Sequence, residues 1–188
     1  MSAQAPALYV LEGFEAHACI RSFRRIVGLT IYVHGSGDTS LARLHGLSPV
    51  LKSLTLHCSF IPVSEAFDLI CSFPLLEDLS LQFLTSADSA DAWSIPRTSP
   101  KFTGTLSLKG GLKSIARWLL GLPGGLHFTR ISMRWYEIED LEWARDLGLA
   151  CSSTLESLAI DFASFSSMSS LAPVVDQRLT TTYSLRRV

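Results

Sequence analysis

The sequence predicts an α/β chain in which short strand–helix units repeat and stack, each strand beside the next in parallel. Three observations carry this. An apolar-x-x-apolar-x-apolar pattern returns as Ile26-Leu29-Ile31, Leu51-Leu54-Leu56, Leu76-Leu79-Leu81, Thr103-Leu106-Leu108, Phe128-Ile131-Met133 and Leu155-Leu158-Ile160. Its first positions, 26, 51, 76, 103, 128 and 155, are 25, 25, 27, 25 and 27 residues apart by subtraction. The fifth position is small in every copy, reading Thr30, Thr55, Ser80, Ser107, Ser132 and Ala159.

A strand motif returning at about 20–29 residues is the signature of a leucine-rich repeat solenoid. Strand followed by helix, repeated, coils right-handed. The expected architecture is a solenoid of about six repeats with a parallel concave sheet and convex helices. Residues 1–25 read as an N-terminal cap or degenerate repeat, 26–163 as the repeats, and 164–188 as a Ser-rich loop with a partial C-terminal unit.

Taken in order, Leu8-Tyr9-Val10-Leu11 reads as a degenerate cap strand and Glu12 to Phe23 as a helix. The first full strand spans Ile26 to Val33. Asp38 then caps a short helix carrying Leu41 and Leu44, which Gly46 and Pro49 stop. The second strand is Leu51 to His57. Pro62 and Ser64 open a helix with Ala66, Phe67 and Ile70 on one face, and Pro74 closes it. The third strand is Leu76 to Phe83. Thr85 to Lys101 lacks apolar spacing and reads as an irregular loop pinned by Trp93. After the fourth strand, Thr103 to Lys109, a helix runs from Leu112 with Ile115, Ala116 and Leu119 at helical spacing. Gly121 and Pro123 end it. The fifth strand is Phe128 to Trp135, and Asp140 starts a helix carrying Leu141, Ala144, Leu147 and Cys151. The sixth is Leu155 to Phe162. Leu185-Arg186-Arg187-Val188 resembles the start of a seventh.

Composition excludes several classes. With 47% apolar and 18% charged residues, the chain is not of disordered composition. A net charge of −1 argues against general nucleic-acid binding. No run of about 18 apolar residues marks a membrane span. The first residues carry no basic n-region, Cys19, Cys58, Cys71 and Cys151 are scattered, and the chain contains no Asn to glycosylate. These features predict an intracellular location, cytoplasmic or nuclear.

Side chains alternate along a strand. With motif positions one, four and six inward, positions three, five and seven face a partner. The seventh column reads Tyr32, His57, Gln82, Lys109, Arg134 and Asp161, and the third includes Arg130. These seven are the candidate partner-binding residues, with Lys109, Arg130 and Arg134 expected to cluster and Asp161 near one end. The competing reading is a solvated sheet face.

Chemical motifs are weaker. His17, His34, His45, His57 and His127 fall in different repeats and form no metal-ligand spacing. Gly110-Gly111-Leu112-Lys113-Ser114 departs from a phosphate loop, because Leu112 separates glycine from lysine. Glu137, Glu139, Asp140 and Glu142 suit a helix N-terminus, where the dipole favours negative charge. No catalytic residue, cofactor site or metal site is expected, and an enzyme is the least supported class.

Ser48-Pro49-Val50-Leu51-Lys52-Ser53-Leu54-Thr55-Leu56 and Phe73-Pro74-Leu75-Leu76-Glu77-Asp78-Leu79-Ser80-Leu81 resemble leucine-rich repeats. More narrowly they are similar to the divergent repeats of mushroom-type fungal F-box-like proteins, as are Leu122-Pro123-Gly124-Gly125-Leu126-His127-Phe128 and Cys151-Ser152-Ser153-Thr154-Leu155-Glu156-Ser157-Leu158. That resemblance covers about residues 24–162. It implies a repeat domain that holds a substrate protein for a ubiquitin ligase. No F-box-like Leu-Pro-x-Glu-Leu helix set precedes the repeats, which argues against docking on the ligase scaffold. The ninth motif position reads His34, Ser59, Leu84, Gly111, Tyr136 and Ala163, so no asparagine ladder forms. The expectation is a non-enzymatic protein-protein interaction module with an unknown protein partner, in its narrower form the substrate-recognition part of an F-box-like ubiquitin ligase adaptor lacking its F-box. The alternative is a truncated, non-functional duplicate of such a protein.

Overall fold

The computed structural model describes residues 7–10, 26–33, 41–45, 49–58, 63–82, 99–135, 140–162 and 179–184. Over these the chain is α/β, as the strand–helix alternation predicts. Eight strands form one sheet whose spatial order is the chain order. They are β1 (Ala7–Val10), β2 (Gly28–Val33), β3 (Ser53–Cys58), β4 (Asp78–Gln82), β5 (Thr105–Lys109), β6 (Arg130–Trp135), β7 (Ser157–Phe162) and β8 (Leu179–Ser184). β1 to β7 are parallel, and β8 runs antiparallel to β7. Three helices, α1 (Val63–Cys71), α2 (Leu112–Leu120) and α3 (Asp140–Ala150), lie in the crossovers that parallel neighbours require. A 3-10 turn, Leu41–Leu44, occupies the connection from β2 to β3.

The helices share one face of the sheet. Phe67 of α1 stacks on Trp118 of α2 with ring centroids 4.0 Å apart. α2 packs against α3, and α1 against the 3-10 turn. Between helices and sheet lies one apolar core. The fourth and sixth motif positions fill it from β2 to β6, with Leu29, Ile31, Leu54, Leu56, Leu79, Leu81, Leu106, Leu108, Ile131 and Met133 all buried. Leu158 and Ile160 of β7 are only partly buried against it.

The strands start two residues later than the sequence places them. In four of the five corners before β3 to β7, two successive N–H groups donate to one carbonyl a repeat earlier. Lys52 and Ser53 donate to the Val27 oxygen at 2.8 and 3.0 Å, and Glu77 and Asp78 to the Lys52 oxygen at 2.8 Å each. Thr129 and Arg130 share the Gly104 oxygen, and Glu156 and Ser157 the Thr129 oxygen. This convergence turns the chain, so the motif's first residue sits buried at a corner ahead of the ladder. Ile26, Leu51, Leu76, Phe128 and Leu155 occupy such corners.

The fourth unit departs from this rule. The sequence places Thr103 in the core, but Thr103 is exposed. Phe102 fills the position instead, 1% exposed and stacked on Phe128 at 5.0 Å. One extra residue therefore lies between corner and strand. Gly104 donates its N–H to the Glu77 oxygen at 3.1 Å, but the next donor turns away from that oxygen. The Thr105 N–H goes to the Asp78 carboxylate, Oδ1, at 2.6 Å. A Cβ on Gly104 would collide with that same carboxylate and stand 3.1 Å from the Glu77 oxygen. Gly104→Ala is expected to cost about 1–3 kcal/mol, as an overpacked site does. Gly28→Ala, where a Cβ meets nothing within 4 Å, should lie near zero or slightly stabilise. Urea unfolding of the two variants gives the comparison, and equal midpoints would remove the role assigned to Gly104.

One further expectation is corrected. Leu141 was placed on the buried face of its helix, yet it is 54% exposed. The buried stripe of α3 is Asp140, Ala144 and Leu147, continued by Cys151. Those residues recur at i, i+4, i+7 and i+11, one helical face, and Leu141 lies about 100° off it. Leu185 to Val188, which resemble the start of a seventh strand, lie outside the described residues. The strand found is Leu179–Ser184, antiparallel to β7 with Leu158 opposite Tyr183. Its β-branched and aromatic residues suit that edge, and it covers the exposed edge of β7. Gly121 ends α2, as the sequence predicts, in right-handed helical geometry, φ −82°, with its N–H bonded to the Arg117 and Trp118 oxygens. The cap helix from Glu12, the Asp38 cap, the Gly46 stop and the Trp93 loop lie outside the described residues.

Candidate functional site: the open face of the sheet

The strand faces opposite the helices carry the polar columns. The register sets them in straight rows. Tyr32 pairs with His57, His57 with Gln82, Gln82 with Lys109, Lys109 with Arg134, and Arg134 with Asp161. Adjacent to this row runs a row of short side chains, Thr30, Thr55, Ser80, Ser107, Ser132 and Ala159. At about 4.8 Å between strands, the six members of a row span about 24 Å.

The two ends of the long row are organised differently. At one end the Tyr32 and His57 rings stack at 4.3 Å, nearly parallel. At the other, Arg134 Nε donates to Asp161 Oδ2 at 2.6 Å, and a second guanidinium nitrogen meets the same oxygen. Gln82 and Lys109 lie between, both half-buried.

Arg130 is not in this row. It pairs with Thr105 and Ser157, at the opposite end of β6 from Arg134. Four residues of strand separate the two arginines, about 13 Å. The expected cluster of Lys109, Arg130 and Arg134 is thus split, with Lys109 beside Arg134 and Arg130 apart. The reason is the period of two: positions three and seven share a face but sit at opposite ends of a strand.

The Arg134–Asp161 pair bears on stability only modestly. The arginine side chain is 39% exposed and the aspartate 17%. Arg134→Ala is expected to cost at most about 1 kcal/mol in urea unfolding, a difference that shrinks in high salt. A cost well above that would show that Asp161 is left uncompensated.

Sequence reasoning missed one polar side chain of this face with a structural task. Asp78 is not among the candidate residues, yet its carboxylate replaces a backbone acceptor for Thr105. The lengthened step before β5, next to a glycine, is the signal that could have found it. Cys71 and Cys151 do not join the face. Cys71 lies in α1, where burial, with Asp68 adding to it, pushes its pKa up to about 11. Burial also raises that of Cys151, against a lowering backbone bond from Phe128. A thiol shifted in this direction forms less of the reactive thiolate. The Gly110-Gly111 pair is a strand-to-helix turn: Gly110 has φ +105° and donates its N–H to the Arg134 oxygen.

Among the described residues, no three His, Cys, Asp or Glu side chains gather as a metal site requires, and no helix is long and apolar enough to cross a membrane. No family model matches the chain, and no curated protein or solved structure matches it significantly.

Proposed function

We propose that the chain is a leucine-rich repeat solenoid that binds a protein partner on the open face of its sheet, without catalysis. The observation that carries this is the register itself. It aligns Tyr32, His57, Gln82, Lys109, Arg134 and Asp161 in one row beside a row of short side chains. A repeated parallel sheet backed by a continuous core is a stiff frame. It presents side chains of varied shape and charge at fixed intervals, which suits recognition of an extended protein surface. A reaction centre needs groups converging on one atom, whereas this row is drawn out over six strands. The narrower reading, the substrate-holding part of an F-box-like adaptor, rests on the resemblance of the repeats. An intracellular setting, cytoplasmic or nuclear, is supported by the free thiols of Cys71 and Cys151.

The test is affinity purification of the chain beside a variant with His57, Gln82, Lys109 and Arg134 all changed to Ala. Captured proteins are identified by mass spectrometry and rebound as purified components. The variant is expected to keep the wild-type circular dichroism and lose direct partners. Partners retained by the folded variant would overturn the assignment of this face. Ubiquitin-ligase subunits among the direct partners would support the adaptor reading.

A further inference from the structure

The charges of the open face do not balance evenly along it. Arg134 and Asp161 neutralise each other. Asp78 is engaged by the Thr105 N–H. That leaves Lys109 at the far end of β5 and Arg130 at the near end of β6, whose side chains make no hydrogen bond or ion pair among the described residues. The face is also most open there. Arg130 and Ser132 are exposed, while Thr30, Thr55, Ser80, Ser107 and Ala159 of the short row are half-buried. Between the two cations lie only Ser107 and Ser132, register partners with short side chains.

We propose that this part of the face, over β5 and β6, holds an extended acidic segment of the partner protein, with two carboxylates four residues apart. The proposal rests on the open face being a protein-binding surface and names what it binds. Lys109 and Arg130 are separated by about 13 Å along the strands and one strand spacing across them. An extended peptide advances about 13 Å in four residues and returns its side chains to the same side. Its first and fifth side chains therefore reach one cation each. The middle residue lies over Ser107 and Ser132, where hydroxyls leave room for a small side chain and can donate to the peptide backbone. Acidic residues two apart would span only half the distance. Spacing, not charge alone, is the recognition.

The experiment uses the full chain and fluorescein-labelled peptides built on Glu-Ala-Ser-Ala-Glu, on Glu-Ser-Glu in a peptide of equal length, and on Gln-Ala-Ser-Ala-Gln. Fluorescence anisotropy at low salt should show the first bound about tenfold or more tighter than either of the others. Lys109→Glu and Arg130→Glu should each weaken it about tenfold. Lys113→Glu, an exposed cation on α2 at the helical side, should leave it within about twofold and so reports diffuse charge attraction. Three results would overturn the proposal: equal binding of the two acidic spacings, an equal loss with Lys113→Glu, or tighter binding of a thymidine oligonucleotide. Failure of every peptide, while the four-alanine variant still loses its protein partner, removes the acidic assignment and leaves the protein-binding face. Retention of the partner by that variant removes the face itself.

Discussion

Leu79→Asp is expected to abolish cooperative folding at room temperature. Leu79 is 1% exposed, the second residue of β4, between Leu54 on one neighbouring strand and Leu106 on the other. Both neighbours are fully buried, so a carboxylate there meets no donor and no water. An unpaired charge in such a place costs several kcal/mol, even when it escapes by taking up a proton. Total stability of a domain is about 5–15 kcal/mol, and one central strand joins the two halves of this sheet. The companion variant is Ser80→Asp, one residue on. Ser80 lies in the short row of the open face and is half-buried. There the cost should stay within about 1 kcal/mol, mostly from the poor strand propensity of Asp. Circular dichroism melts of the pair give the answer. A folded Leu79→Asp beside an unfolded Ser80→Asp would invert the faces and with them every residue placed on the open side.

Much of this fold was legible because period two and the repeat step reinforce each other. Once Leu54 and Leu79 stand at the same motif position, Thr55, Ser80 and the long seventh column follow by alternation. Local deviations were not legible. Thr103 satisfies a counted spacing, but nothing in a count reveals that a carboxylate at the start of the preceding strand will accept the Thr105 N–H and let one extra residue into the corner. Leu141 is apolar and begins a helix, yet the face of α3 is fixed by Ala144, Leu147 and Cys151, which select Asp140. The β8 residues Leu179 to Tyr183 carry strand-forming chemistry. They break the repeat step, so counting the step does not mark them. On the candidate site, rows are readable from the sequence. Which cations remain unpaired depends on side-chain geometry that no spacing encodes.

Phe102→Ala should be the second most damaging change, and it decides the register of the fourth unit. Phe102 is almost fully buried and lies against the ring of Phe128, the corner residue of the next unit, with an interplanar angle of 22°. Truncation empties a site walled by neighbouring repeats on both sides, where collapse is restricted by the sheet. A buried Phe→Ala change of this kind costs about 3–5 kcal/mol. Thr103→Ala, at the exposed neighbour, should stay within about 0.5 kcal/mol. The opposite ranking in urea unfolding would return Thr103 to the core and move the extra residue elsewhere in the unit. Phe128→Ala and the double variant complete a cycle. Stacked rings couple by about 0.5–1.5 kcal/mol beyond their burial. The double variant should therefore lose less than the sum of the two single losses. Strict additivity would mean that the corners of adjacent units are stabilised independently, and that the chain holds its repeats together through the strand ladder rather than through the aromatic contacts at its corners.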